Sequence, residues 1–176
     1  MPGFKLTAFN INLPFGLGGA SLNLNESQVK AAWELYVEYS TRISTQALAP
    51  NMGSAREALS SLHSLFDTTR SVLRSYGPGV GQGQESIGPI AIRLLNEKVR
   101  PFLLVWHTNL SGFEDAEIMA QQASIGSQHR HVVDEAKWES RADFYDDLNS
   151  LRKGLVEYVD VLAAIAGVTK AHEGIE

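Results

Sequence analysis

The residues best placed to do chemistry lie along one flank of a helix-forming stretch that begins at Ala55. His63, Arg70 and Arg74 fall there at helical spacing, with Arg56 and Asp67 beside them. Guanidinium groups three and four residues apart can hold a carboxylate or phosphate through charged hydrogen bonds. The same spacing permits ordinary intrahelical pairs such as Asp67 with Arg70, so the flank reads as an anion-binding strip or as a solvated face. Lys98 is a further candidate ligand contact. Phase counting puts it on the inner face of a later helix, near Pro101 and Trp106, where a buried amine would be a functional anomaly. The alternatives are a snorkelling side chain or a phase rotated by the proline.

Other routes to chemistry are narrower. The chain has no cysteine, which removes disulfides, thiolate catalysis and Cys-based metal sites and fits a reducing cytoplasm. No Glu-x-x-His occurs, so the ligand pattern of di-metal carboxylate bundles is missing. His129 and His131, with Asp134 and Glu135 just beyond, could share a metal, but they also suit a polar loop leading into an acidic helix start. Gly77 to Gly83 is rich in glycine, yet it follows a helix and contains no Gly-Lys-Ser/Thr, so it reads as a connector. There is no Gly-x-Ser-x-Gly. An enzyme is not expected, although catalysis without a motif stays open, and no cofactor or metal is expected.

A net charge of −5 over 176 residues argues against general nucleic-acid binding, which needs a basic surface. No apolar run approaches the ~18 residues that span a bilayer, so no membrane insertion is expected. The N-terminal apolar residues are interrupted by Asn10, Asn12 and Pro14, unlike the core of a signal peptide. The expected location is the cytoplasm.

The elements that must position these residues begin with a period-two segment. Phe4, Leu6 and Ala8 fall on one face, then Phe9, Ile11 and Leu13, which suggests a bulge between them. Pro14 to Gly19 is a turn, and Ala20, Leu22 and Leu24 alternate after it, completing a β-hairpin. A lone hairpin is marginal in water, so it must lie on the helices or on another chain.

Asn25 and Gln28 form a capping box that opens helix one, which is expected to end near Leu48. Val29, Trp33, Tyr36, Val37, Ser40, Ile43 and Ala47 mark the expected inner face. Ala31, Leu35 and Tyr39, continued by Arg42, form a second strip that would receive the hairpin or serve as an interface with itself or another protein. Helix two starts at the Ser54–Glu57 capping box, carries a stripe from Ala55 to Tyr76 and stops at Gly77. Helix three runs from near Ser86 or Gly88 to Leu110, bent at Pro101. Residues 111–131 read as irregular, with a short helix over 114–123. Helix four starts between Asp134 and Ser140 and ends at Gly167. The expected fold is all-α dominated: an antiparallel four-helix bundle over 25–176, preceded by a hairpin over 1–24, as one domain.

Three strings carry a resemblance: Trp33-Glu34-Leu35-Tyr36-Val37-Glu38 with Thr41-Arg42-Ile43, Arg100-Pro101-Phe102-Leu103 with Trp106-His107, and Ala163-Ala164-Ile165-Ala166-Gly167-Val168. Together they resemble small helical accessory proteins encoded in bacterial conflict, or antiviral defence, loci, over most of the helical part but not the hairpin. The resemblance implies a regulatory or adaptor role beside a separate effector and assigns no functional residue. Arg100 and His107 fall on the outer face by phase. The first functional expectation is a non-enzymatic, oligomeric interaction module. The alternative is a sensor that binds a small anion beside the arginine flank of helix two.

Overall fold

The computed structural model describes residues 8–42, 53–83, 85–125 and 133–168. It is mostly helical, with an N-terminal antiparallel two-stranded hairpin. Strand β1 (Ala8–Leu13) pairs with β2 (Gly18–Asn23) in unbroken register, Ile11 opposite Ala20 and Leu13 opposite Gly18. The bulge expected after Ala8 is therefore not formed within β1; Phe4 and Leu6 lie outside the described residues. Leu13, Ala20 and Leu22 are buried, so one face of the hairpin joins the core. Both β1 and the turn Pro14–Gly16 contact the last helix.

Helix α1 spans Glu26–Ser40, with Asn25 Oδ1 accepting from the Gln28 N–H at 2.9 Å. The Gln28 side chain does not close the box on Asn25; its amide donates to the Asn23 carbonyl at 3.3 Å. The expected inner and outer faces of α1 are largely exchanged, although Val29 and Tyr36 still pack partly buried against the core. Ala31, Leu35 and Tyr39 are fully buried, while Trp33 is 50% and Val37 38% exposed. The small Ala31 and Ala32 let α1 approach the last helix closely, a packing that the bulk of Trp33 would prevent. Tyr39 is the polar member of that face. Its hydroxyl shares a hydrogen bond with Thr69 Oγ1 at 3.0 Å, and its ring meets Tyr158 edge to face at 5.5 Å. The expected continuation of helix one to Leu48, with Ile43 and Ala47, lies outside the described residues.

Helix α2 (Ala55–Tyr76) begins at the expected cap, with Ser54 Oγ accepting from Arg56 N at 3.1 Å. A remote carboxylate completes the job: Glu135 accepts from Ser54 Oγ at 2.7 Å and from Ala55 N at 2.9 Å, at the positive end of the helix dipole. Gly77, at φ 60°, stops the helix. α1 and α2 run antiparallel, since Glu34, Tyr39 and Arg42 meet Tyr76, Thr69 and Thr68 in turn.

The next rod contains three parts: α3 (Ile87–Leu94), a π turn (Leu95–Val99) and α4 (Arg100–Ile125). In the π turn the Arg100 N–H donates to the Leu95 carbonyl, five residues back. That register accommodates Pro101, which has no N–H of its own and would crowd a regular turn. It also moves the buried position from 98 to Val99, so Lys98 is only partly covered and leaves the inner face. The irregular segment expected after Leu110 is instead helical to Ile125. Gly112 weakens it by only about 1 kcal/mol. Against that stand the Arg56–Glu114 ion pair and Phe113 stacked on Trp138.

Helix α5 (Arg141–Ala166) ends at Gly167, φ 72°, with Val168 N bonded to the Ala163 carbonyl at 2.9 Å. Phe102, Trp106, Trp138 and Phe144 form an aromatic cluster that fills the space between α4 and α5, with centroids 5.4 to 6.3 Å apart.

Candidate functional site: an arginine-rimmed groove

The outer flank of α2 does not face open solvent along its length. It forms one wall of a groove whose other wall is α3, the π turn and the start of α4. Phe66, Thr69, Leu73, Ile92 and Leu95 line its first compartment, with Arg70, Arg74, Asn96 and Arg100 among them, around a volume of about 510 Å³. A second compartment of about 300 Å³ continues toward the C-terminal part of α4. It adds His63, Leu103, Leu104, His107 and Thr108, and shares Phe66, Arg70 and Arg100 with the first. No carboxylate lines either compartment.

The groove lies along the π turn, where Ile92 is half exposed and Leu104 mostly exposed beside a buried Leu95. Arg100 stacks its guanidinium over Phe66 at 5.0 Å, and its Nε and Nη2 both donate to Asn96 Oδ1, at 3.1 and 3.0 Å. The fork is thus held over the Phe66 ring by Asn96. Arg70 donates from Nε to the Phe66 carbonyl at 3.3 Å and pairs with Asp67 at 3.0 Å. Exposed pairs of that kind are worth about 0 to 1 kcal/mol, so an incoming anion can displace Asp67 at little cost.

The two histidines meet edge to face, 6.2 Å between centroids. Burial holds the pKa of His107 below the ordinary histidine value, helped by the Arg56 and His63 charges and opposed by Glu114. The neutral imidazole is therefore the form this end of the groove favours. His107 Nε2 is buried and makes no hydrogen bond among the described residues.

Of the residues singled out in the sequence, His63, Arg70 and Arg74 come together in the groove. Lys98 does not: its ammonium lies on the other side of the rod, 5.9 Å from the Phe15 ring centroid. Ala31, Leu35 and Tyr39 lie in the core, so they offer no interface, and Arg42 is held by Glu38, Ser64 and Thr68. Arg100 and His107, noted only as outer-face residues, complete the site together with Asn96. Their proximity to α2 needed the third dimension.

The remaining candidates are structural or undescribed. Asp134 caps the short turn Glu135–Lys137, and Glu135 caps α2. His129 and His131 lie outside the described residues. Among the described residues no three metal-ligating side chains converge, and no helix is long and apolar enough to cross a membrane. The glycine-rich connector serves α1: the Gly79 carbonyl accepts from Asn25 Nδ2 at 2.9 Å. The chain matches no protein-family model, and neither the curated proteins nor the solved structures contain a match to it.

Proposed function

We propose that this chain is an antiparallel four-helix bundle that works as a non-enzymatic recognition module in the cytoplasm, and that its recognition surface is the α2–α3/α4 groove. The groove takes an acidic group carried on an apolar body. The observation that carries this reading is the placement of Arg70 and Arg100, which line both compartments and so put positive charge between two apolar floors. Arg70, Arg74 and Arg100 line the groove, Arg70 in an exposed pair with Asp67, and together they attract anions in an otherwise acidic protein. The apolar lining supplies the burial that makes a specific contact. An accessory protein of a bacterial defence locus, as the sequence strings suggest, would use such a surface to meet a ligand or effector.

The test compares two fluorescent probes, 8-anilinonaphthalene-1-sulfonate and the neutral N-phenyl-1-naphthylamine. The sulfonate is expected to bind at least tenfold more tightly. In an Arg70→Ala/Arg100→Ala variant that preference disappears while the neutral probe is unaffected, because charged hydrogen bonds contribute about 1.5 to 3 kcal/mol each. Equal affinity of the two probes for the wild-type chain would overturn the reading.

A further inference from the structure

We infer that a second site, apart from the groove, binds a small molecule through its primary ammonium group. The site is the polar pocket between β2, the start of α1 and the connector that leads into α3. Its volume is about 260 Å³, and it shares no residue with either compartment of the groove. Two of the polar side chains that line it are almost wholly buried, Gln28 at 3% and Ser86 at 2% exposure. Glu85 is the exposed charge at its edge, and its Oε2 accepts from the Ser21 N–H at 2.7 Å, which ties the connector to the hairpin.

The Gln28 amide is what calls for a guest. Its Nε2 donates to the carbonyl of Asn23, another residue that lines the pocket, at 3.3 Å. Its Oε1 is buried and makes no hydrogen bond among the described residues. Turning the amide over would set its oxygen against the Asn23 carbonyl, so the orphan is an acceptor and not a donor. Buried acceptors left unpaired are rare in folded proteins, and this one belongs to a residue on a pocket wall.

The neighbouring polar groups ask for the same partner. Ser86 Oγ commits its proton to the Gly83 carbonyl at 2.8 Å, so toward a guest it can only accept. Glu85 keeps a second carboxylate oxygen beyond the one that Ser21 engages. An amide oxygen, a hydroxyl oxygen and a carboxylate together match the three N–H donors of an ammonium group. None of the described residues lining the pocket is basic, so an anion would meet only the repulsion of Glu85. A divalent metal fits poorly. Calcium takes about six to eight oxygens, several of them carboxylate, and Glu85 is the sole carboxylate among the described lining residues. The volume falls just under the range of roughly 300 to 1,000 Å³ usual for larger ligands, which favours a short amine.

The experiment is a nuclear magnetic resonance titration of the isotope-labelled full chain with n-butylammonium and, separately, with n-butyltrimethylammonium, which has the charge but no N–H donor. Butylammonium is expected to shift the Gln28 side-chain amide and the Ser21 N–H saturably in the millimolar range, and the trimethyl compound is not. Glu85→Gln keeps an acceptor for Ser21 and removes the charge. It should weaken butylammonium binding about fivefold or more, because charge-assisted hydrogen bonds are roughly twice as strong as neutral ones. Gln28→Met keeps the length of the side chain, removes the acceptor and should abolish the shift at Ser21. Should that buried change unfold the chain by circular dichroism, the exposed Glu85→Gln decides alone. No saturable shift, with ordered water alone on Gln28, overturns the inference. So do equal shifts from the two amines, or a butylammonium affinity that Glu85→Gln leaves unchanged.

Discussion

The bent rod has two sides at its π turn, and the chain treats them oppositely. On one side the hairpin closes over it: Lys98 lies over the Phe15 ring and Arg93 Nη2 donates to the Leu17 carbonyl at 2.8 Å. Phe15 reaches this place in a left-handed backbone conformation, φ 58° and ψ 20°, which a bulky residue adopts only when its surroundings hold it. Its ring occupies the notch left by Gly154 on α5. On the other side Ile92, Asn96 and Arg100 face the groove, which no segment of the described chain covers. The same irregularity is thus filled by the protein's own turn on one side and left for a visitor on the other. A strained plug fills the closed side, whereas the arginines of the open one line an uncovered groove.

The closed side should respond most to mutation. A Cβ on Gly154 would lie 2.2 Å from two carbons of the Phe15 ring, so Gly154→Ala must push the plug out or bend α5. We expect a loss of about 1 to 3 kcal/mol, the usual cost of overpacking, in urea unfolding. Faster amide exchange in β1 and β2 should accompany it. Phe15→Ala in the same chain should remove the clash, so that the double variant loses less than the two single changes added together. A Gly154→Ala protein as stable as the wild type would mean that the plug is not seated there.

The π turn itself is the next test. Pro101→Ala restores an N–H, yet the turn should persist, because Leu94 and Val99 are buried five residues apart and fix the extra residue. Sulfonate binding should change less than about twofold, well under 1 kcal/mol. Deleting Asn96 in the Pro101→Ala background removes the extra residue and keeps both apolar phases. Stability should then stay within about 1 kcal/mol while the sulfonate preference is lost, since α3 and α4 realign and the groove closes. Retention of the preference would separate the groove from the turn.

How much of this the residues disclosed depends on what sets each feature. Helix two was legible because its stripe from Ala55 to Val72 has a single apolar face and its stops, Ser54 and Gly77, are local. Helix one was not, because it carries two apolar faces. Bulk favours Trp33 and Val37, but close approach to α5 requires Ala31 and Ala32, and that requirement belongs to the pair of helices. Lys98 was misplaced by counting turns of constant pitch across a rod that contains five residues of π helix. The arginine flank of α2 could be read as a strip, but its far wall, Asn96, Arg100 and His107, is 22 to 44 residues away from His63–Arg74 in sequence and adjacent only through packing. Glu135 as the cap of α2 is nonlocal in the same way.

On the open side, Arg70→Ala should barely alter stability. The pair it forms with Asp67 is exposed, with side chains 59% and 72% accessible, so the expected change is within about 0.5 kcal/mol. The sulfonate probe should nonetheless lose most of its advantage over the neutral one. A destabilisation comparable to that of Gly154→Ala would mean that the open side is held together by Arg70 and is no more available than the closed one.

The smallest expected effect is the pH dependence set by His107. Burial, with Arg56 and His63, places its folded-state pKa below the unfolded value of 6.5. The folded chain therefore binds fewer protons than the unfolded chain as pH drops past 6.5, and stability must fall with it. The contribution is fully present above pH 6.5 and is lost progressively down to the lowered folded pKa. His107→Gln should flatten thermal stability across that window without altering it above. An anion in the groove acts the other way, because a negative charge beside the imidazole favours the imidazolium. Sulfonate binding should consequently tighten as pH falls through the same range in which the empty chain weakens. That opposition is specific to a histidine lining the anion site. A purely structural His107 would lower stability in acid and leave the sulfonate affinity unchanged.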